Sequence, residues 1–442
     1  MTTTGSQVSL VTNASTTTGQ LPIQDWISAK ATRTVIAALE AQGTSVRFIG
    51  GCVRDAIAHR PVTDIDIATP DRPETVMALL EADGINAVPT GLKHGTVTAI
   101  IDKAHFEITT LRRDLETDGR HATVEFTDDW LEDAKRRDFT INAMSASPDG
   151  AVFDPFDGIS DLAHGRVRFI GIARDRVEED YLRILRFFRF HGLFGHGAMD
   201  QNAKAACRAG AKQLQTISRE RIRDELLKIL LVADPAEICV HMRGDKVLDQ
   251  VLPEASDINH LRVVNWLETR AVNVDKVEPD AIRHLAALLN TDRAGVDRVA
   301  DQLKLSNAQR KRLTALGAPE EKINANMGDA GEQRAIRRLG GGRVRDLALL
   351  AWAEELTGTT RLPRQRTEAY IRLLERCAAW IPPDFPISGT DVLTLGLRPG
   401  PMVGTILGRV EAWWENTGYE ASRQECLDRL IRVARETEGD HR

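Results

Sequence analysis

The run Val46-Arg47-Phe48-Ile49-Gly50-Gly51-Cys52-Val53-Arg54-Asp55, followed closely by Asp64-Ile65-Asp66, constrains this chain more than any other stretch. Val46–Ile49 reads as a buried strand. The two glycines read as a tight turn into a helix, and such a turn can bring backbone N–H groups up to a triphosphate. Asp64 to Ala68 reads as a second strand. Side chains alternate along a strand, so Asp64 and Asp66 share one face. Two like charges that close repel each other unless a cation lies between them. Mg²⁺ suits the position, because it is hard, prefers carboxylate oxygens and also binds phosphates. Taken singly, a Gly-Gly is most often a plain turn and an Asp-x-Asp a solvated strand edge. In this order and at this spacing they point to metal-dependent transfer of a nucleotide.

The pattern around them is α+β. Asp25 to Gln42 has the apolar spacing of a helix, stopped by Gly43. A helix from Val53 to about His59 follows the glycine turn, and Pro73 to Ala82 reads as another. Thr96–Ile101 and His105–Thr110 read as strands joined by a short turn. Leu111 to Asp129 is polar and reads as a mobile loop, and Leu131 to Met144 reads as a helix. From Val177 onward helical periods dominate and strand signals nearly vanish, which places a domain boundary near residue 150. Ile381-Pro382-Pro383-Asp384-Phe385-Pro386 marks a further boundary before a C-terminal tail.

A chain of 442 residues is too long for one core. The net charge of −6 argues against a general grip on polyanions. A local basic strip nevertheless runs from Arg166 to Lys228, with 14 Lys and Arg against 8 Asp and Glu, and favours a phosphate-facing surface. The five cysteines are scattered without Cys-x-x-Cys spacing, so neither a zinc site nor a disulfide framework is implied, and a reducing cytoplasm fits. No apolar run is long enough to span a membrane. Residues 1–24 begin with a Thr- and Ser-rich stretch that has no Lys or Arg up to Gln20, and are expected to form a disordered leader rather than a targeting peptide. A P-loop is excluded because no Gly-Lys-Ser/Thr follows the glycines.

Further motifs lie downstream. Phe106-Glu107-Ile108-Thr109-Thr110-Leu111-Arg112 offers Glu107 as a third carboxylate, with a solvent-facing strand glutamate as the equal alternative. Arg136-Arg137-Asp138-Phe139-Thr140-Ile141-Asn142-Ala143-Met144, if helical, sets Asp138 and Asn142 on one face. Glu179-Asp180-Tyr181-Leu182-Arg183-Ile184-Leu185-Arg186-Phe187-Phe188-Arg189 spaces Asp180 and Arg183 as i, i+3 on a helix, with Arg186 and Arg189 continuing the stripe. By itself that pair is an ordinary helix salt bridge. Ser218-Arg219-Glu220-Arg221-Ile222-Arg223-Asp224-Glu225-Leu226 starts with a natural N-cap and reads as structural, with Glu225 one turn from Arg221.

From about Val46 to Leu230 these segments, in this order, resemble the class II tRNA nucleotidyltransferases, within the family that also holds bacterial poly(A) polymerases. A weaker match continues into Pro386-Ile387-Ser388-Gly389-Thr390-Asp391-Val392 and Gly396 to Pro401. The resemblance implies a polymerase-β-like nucleotidyltransferase head with a small mixed or antiparallel sheet. An all-helical neck, body and tail would follow. The expected bounds are 25–150 for the head, 151–232 for the neck, 233–380 for the body and 381–442 for a tRNA-binding tail. It implies addition of C, C and A to the 3′ end of tRNA from CTP and ATP, with Mg²⁺ and without a nucleic-acid template. Neither a protein partner nor a membrane is implied.

Residue by residue, the resemblance implies that Asp64 and Asp66 hold metal, with Glu107 as a possible third carboxylate. Gly51 and Arg54 would contact the triphosphate, and Arg137, Asp138 and Asn142 would recognise the ribose. Asp180 and Arg183 would read the base. Cytosine offers an N4 donor and N3/O2 acceptors, and adenine an N6 donor and an N1 acceptor. Uracil and guanine set an oxygen against the carboxylate instead. Arg186 and Arg189 would hold the triphosphate. Asp118-Gly119-Arg120 would lie in a flexible loop, and its presence favours the full activity over CC addition alone. A poly(A) polymerase on the same head is the near rival, although such relatives tend to have strongly basic termini. A catalytically inactive RNA-binding protein is the distant rival, and it would have no use for a metal pair.

Overall fold

The computed structural model describes residues 15–117, 122–359 and 361–439. The chain divides into two units, Met1–Pro253 and Glu254–Arg442.

The first unit is built on a sheet of β1 (Gly19–Gln20), β2 (Arg47–Ile49), β3 (Ile65–Thr69), β4 (Asn86–Gly91), β5 (Thr96–Ile101) and β6 (Ala104–Thr110). A hairpin, β7 (Arg112–Thr117) and β8 (Ala122–Phe126), follows, and then β9 (Ser145–Ala146) and β10 (Ala151–Phe153) return to the sheet. The sheet order is β1-β10-β9-β2-β3-β6-β5-β4. Its pairings are antiparallel except that β3 runs parallel to β6, with Asp66 in register with Glu107. Ile65, Ile67, Phe106 and Ile108 turn to the other face and join a core with Phe48, Leu39, Leu80 and Val97.

The helices α1 (Asp25–Ser28), α2 (Lys30–Leu39), α3 (Gly51–Ile57), α4 (Pro73–Ala82) and α5 (Trp130–Lys135) accompany the sheet. Beyond it come α6 (Gly158–Ala163), α7 (Ala173–Glu179), α8 (Arg183–Phe194), α9 (Gln201–Gly210), α10 (Arg219–Ile229), α11 (Pro235–Gly244) and α12 (Leu248–Val251).

Several elements differ from the sequence reading, each for a local reason. The helix expected over Asp25–Gln42 breaks at Ala29, where the Thr32 hydroxyl donates to the Trp26 carbonyl at 2.6 Å. The loop expected over Leu111–Asp129 holds the β7–β8 hairpin, whose polar sequence is stitched by an Arg113–Glu125 ion pair on an exposed face. The expected Asp118, Gly119 and Arg120 loop motif lies outside the described residues. The helix expected over Leu131–Met144 stops at Lys135. There the Asp138 carboxylate accepts from the Phe139 N–H at 2.9 Å and from the Asn142 amide at 3.0 Å. Such local side-chain bonds compete with helical ones. Phe139 is accordingly extended and Thr140–Asn142 forms a single 3₁₀ turn. The sheet also reaches past residue 150 through β10, and Gly19–Gln20, within the expected leader, pairs with it.

The second unit holds α13 (Ile258–Trp266), α14 (Ala281–Leu288), α15 (Arg293–Gln302), α16 (Asn307–Gly317), α17 (Gly328–Leu339), α18 (Gly341–Gly358) and α19 (Arg364–Ala379). They are followed by α20 (Gly389–Leu393), α21 (Pro401–Asn416) and α22 (Arg423–Gly439). The long α18 packs against α13, α14, α16, α17 and α19. A buried ionic network ties this unit together. Arg283 bonds Glu268 and Asp346, His284 bonds Glu268 at 2.6 Å, and Arg312 links Asp346 to Asp280 at 2.7 Å each. The tail motif supplies caps: Ser388 and Asp391 close a reciprocal box at the start of α20.

Candidate active site

The carboxylates are set by the sheet. Alternation along β3 and its parallel register with β6 put Asp66 beside Glu107 on the face away from the core. Asp64 lies just before β3, exposed, with the Thr63 hydroxyl donating to it at 3.1 Å. The Asp66 carboxyl is pushed up to about 6, first by burial and then by Glu107, with Asp64 adding to the effect. Arg137 and Arg54 act the other way from across the site. Among the described residues no three His, Cys, Asp or Glu side chains already stand at the spacing of a closed metal site. The three acids nevertheless fit a divalent cation. A half-buried carboxylate held high by neighbouring negative charge is what such an ion relieves, and the donor set is all oxygen.

Opposite them lies a set of arginines. Gly50, at φ 67°, turns the chain from β2 into α3, and a side chain there would come within 3.2 Å of an Arg137 nitrogen. From α3, Arg54 donates to the Asn142 side-chain oxygen at 2.6 Å and pairs with Asp55. Asn142 passes its amide to Asp138, and Asp138 takes both Nε and Nη2 of Arg186 at 2.6 Å. Arg189 pairs with Glu225 at 2.7 Å. Phe190 lies beneath all three arginines, its ring centre 5.2 Å from Arg54, 5.3 Å from Arg186 and 4.5 Å from Arg189. Arg137 bonds Asp133 at 3.1 Å. Burial raises the cost of ionising Asp138, but Arg186, Asn142 and the Phe139 N–H overcome it and hold the acid below the usual carboxylate range. Burial pushes the Arg54 and Arg189 guanidinium groups down, and each also feels a neighbouring cation, Arg189 acting on Arg54 and Arg186 on Arg189. Each already has one acid partner, and the crowding of Arg54, Arg186 and Arg189 favours a further anion among them.

Asp138 and Asn142 therefore direct their polar atoms toward each other and two arginines, rather than standing on one face of the helix expected there. Asp180 and Arg183 differ too. They do not share one helix face, because α7 ends at Asp180 with extended backbone and α8 starts at Arg183. Asp180 turns the chain by accepting from the Leu182 N–H at 3.1 Å. Its other oxygen pairs with Arg221, and Arg183 pairs with Glu179. Cys52, beside the glycine turn, is buried and its thiol is pushed up to about 12, first by burial, which rules it out as a nucleophile.

Sequence reasoning missed the partners: Asp133, Glu179, Arg221 and Glu225. The spacing of Arg221 and Glu225 was legible as a pair with each other, whereas the folded chain sends Arg221 to Asp180 and Glu225 to Arg189. The excess of arginine between Arg166 and Lys228 was the signal that acids elsewhere must meet them. Asp138 and Asp245 do so.

Comparison with known proteins follows the same outline. The profile of the Poly A polymerase head domain matches residues 46–168, and that of a probable RNA- and SrmB-binding site of polymerase A matches residues 198–258. The mitochondrial CCA tRNA nucleotidyltransferase 1 of Danio rerio is 35% identical over 390 residues, covering 87% of this chain and 86% of its own. The protein of the same name from Homo sapiens is 35% identical, over 86% of this chain and 85% of its own. Among solved structures, the Bacillus stearothermophilus CCA-adding enzyme in complex with CTP superposes with a TM-score of 0.73 at 26% identity, covering 92% of this chain and 97% of its own.

Proposed function

This chain belongs to the CCA tRNA nucleotidyltransferases, and from that membership we propose how its own residues perform the transfer. The enzyme adds C, C and A to the 3′ end of tRNA, taking CTP and ATP and releasing pyrophosphate. The 3′-hydroxyl oxygen of tRNA attacks the α-phosphorus, the bond to the bridging oxygen breaks, and the leaving pyrophosphate carries the charge away.

The observation that carries this reading is the placement of Asp66 beside Glu107, electrostatically facing Arg54 and Arg137. An acid cluster opposite a half-buried arginine cluster is a place for a metal ion against a triphosphate. Asp64, Asp66 and Glu107 would hold the divalent metal on which the family's chemistry depends. We take it to be Mg²⁺, since an all-carboxylate set completed by phosphate oxygens matches that ion. Held there, it would supply activation of the attacking hydroxyl and charge stabilisation of the leaving pyrophosphate. The Gly50-Gly51 turn and Arg54, Arg186 and Arg189 bind the phosphates. Asp138 and Asn142 keep Arg186 and Arg54 at fixed spacing, and Arg137 braces the turn through its closeness to Gly50. Asp180 and Arg183 read the base.

Residues 151–232, 233–380 and 381–442 are assigned as neck, body and tRNA-binding tail. Among the described residues no helix is long and apolar enough to cross a membrane. All five cysteines are unpaired, which suits a reducing compartment, and we place the enzyme in the cytoplasm. The test is incubation with a tRNA lacking CCA and each labelled NTP in turn and together, read as product length on a gel. Extension by three nucleotides needing both CTP and ATP is expected. A long A-only ladder would point to the poly(A) polymerase reading, and no extension would overturn both.

A further inference from the structure

The two groups assigned to base reading are held in unlike ways. Arg183 is 13% exposed and built in: its Nη1 bonds Glu179 at 2.6 Å and the Arg176 carbonyl at 3.0 Å, and its Nη2 bonds the Arg136 carbonyl at 3.2 Å. Glu179 is itself fixed by a second arginine, Arg176, at 2.7 Å. Asp180 is held on one side only by its own backbone, through the Leu182 N–H on Oδ1. Its Oδ2 is taken by Arg221 of α10 at 2.7 Å, and the side chains of this pair are 25% and 42% exposed. The donor is thus held at three points and mostly covered, while the acceptor is covered by a cation that reaches it from the solvent side.

An arginine N–H on a carboxylate oxygen makes the same kind of bond as the exocyclic amine of a base. Arg221 therefore stands in for cytosine N4 or adenine N6 while no nucleotide is present. Resting on the assignment of Asp180 to base reading, we propose that Arg221 is a specificity-determining residue that competes with the incoming base for Asp180. Only a base that brings its own donor replaces what Arg221 gives up. Uracil and guanine bring an oxygen to that place, so Asp180 stays with Arg221 and the pocket stays closed to them. The arrangement keeps the carboxylate from standing unpaired between turnovers, and it makes refusal of the wrong base the resting condition.

Glu225, one turn along α10, makes the rival expectation clear. It anchors Arg189, so α10 has a bracing duty as well. If Arg221 merely braced Asp180, removing it would weaken the site. If it competes, removing it strengthens binding of the right bases.

The two accounts differ in sign. The experiment is equilibrium binding of CTP, ATP, UTP and GTP to the full chain without tRNA, for wild type, Arg221→Ala and Arg221→Lys. KM and kcat for CTP and ATP are measured alongside. The pair is partly exposed, and exposed pairs are weak, so the expected effect is small: roughly two- to fivefold tighter CTP and ATP in Arg221→Ala, with KM falling and kcat held. Preference over UTP and GTP widens in single-turnover misincorporation, because those two bring no donor to the freed carboxylate and gain nothing from the loss of Arg221, and Arg221→Lys restores wild-type values in part. Weaker CTP and ATP binding by Arg221→Ala, with a normal far-UV spectrum and melting point, would overturn the proposal in favour of bracing. Equal tightening of all four nucleotides would also overturn it, since base identity would then play no part. Wild-type chain that binds CTP no better than UTP would instead defeat the underlying assignment of Asp180.

Discussion

Substituting Asp66 by Asn removes a charge that the metal-free protein holds at a cost. The Asp66 carboxyl titrates near 6, about two units above an ordinary aspartate, because burial and the neighbouring Glu107 disfavour its ionised form. Each unit is worth about 1.4 kcal/mol, so ionised Asp66 costs the fold roughly 3 kcal/mol. The sign follows from linkage. The folded chain holds this proton more tightly than the unfolded chain, so stability falls as pH rises from about 4 through 6. The full cost is present above 6 and absent below about 4. Asp66→Asn should therefore match wild type in acid and exceed it by about 2–3 kcal/mol at pH 8 without metal. For a unit of this size that is about 5–10 °C in Tm. Mg²⁺ should raise the wild-type Tm at pH 8 and leave the variant unmoved, while the variant loses nucleotide transfer. The assay is thermal unfolding in a chelator from pH 4 to 8, repeated with Mg²⁺. Parallel wild-type and variant curves across that range would refute the like-charge argument.

Asp180→Ala and Arg183→Ala should each slow C and A incorporation by about one to two orders of magnitude, from the loss of a charged hydrogen bond worth about 1.5–3 kcal/mol. Single-turnover assays with all four NTPs check this, and equal slowing of CTP and UTP by Asp180→Ala would count against base reading. Arg186→Met should weaken all four nucleotides alike. It also strands the buried Asp138 carboxylate, at a cost of about 3–5 kcal/mol in urea unfolding, and an unchanged midpoint would show that Asp138 finds another partner. Gly50→Ala forces a side chain into a glycine-favoured conformation and toward Arg137, so a loss of about 1–3 kcal/mol and slower transfer are expected. Wild-type melting and rate would mean that the turn relaxes freely.

The sequence showed the strands and the acids well because both rest on a period of two. Ile65 and Ile67 against Asp66 is a local pattern, and the match between Asp66 and Glu107 needs only that β3 and β6 pair. What it concealed was the partner of each charge. Asp138 looked like a helix-face residue, and its carboxylate instead unwinds the helix and waits for Arg186 of α8. Asp180 and Arg183 looked like one i, i+3 pair, and a turn in which Asp180 accepts from the Leu182 N–H divides them between two helices. Spacing predicts neighbours only while the helix continues, and aspartate is the residue that ends it by bonding its own backbone. The β7–β8 hairpin escaped for the opposite reason: β8 alternates at Ala122, Val124 and Phe126, but β7 is polar apart from Leu115 and offers no matching apolar face.

The parallel pairing of β3 with β6 has one more consequence. Both strands have neighbours on each side, so the amides of Asp66 and Glu107 lie within the ladder rather than on a rim. Their hydrogen exchange should be among the slowest in the first unit, limited by opening of the sheet itself. The pair proposed to read the base, Asp180 and Arg183, spans the break between α7 and α8, where a small hinge would change their separation without disturbing the ladder. An enzyme that repeats one phosphoryl transfer while its accepted base changes from cytosine to adenine gains from that division. The proposed reacting end would keep its geometry through every round, and the proposed reading end would be free to adapt between them.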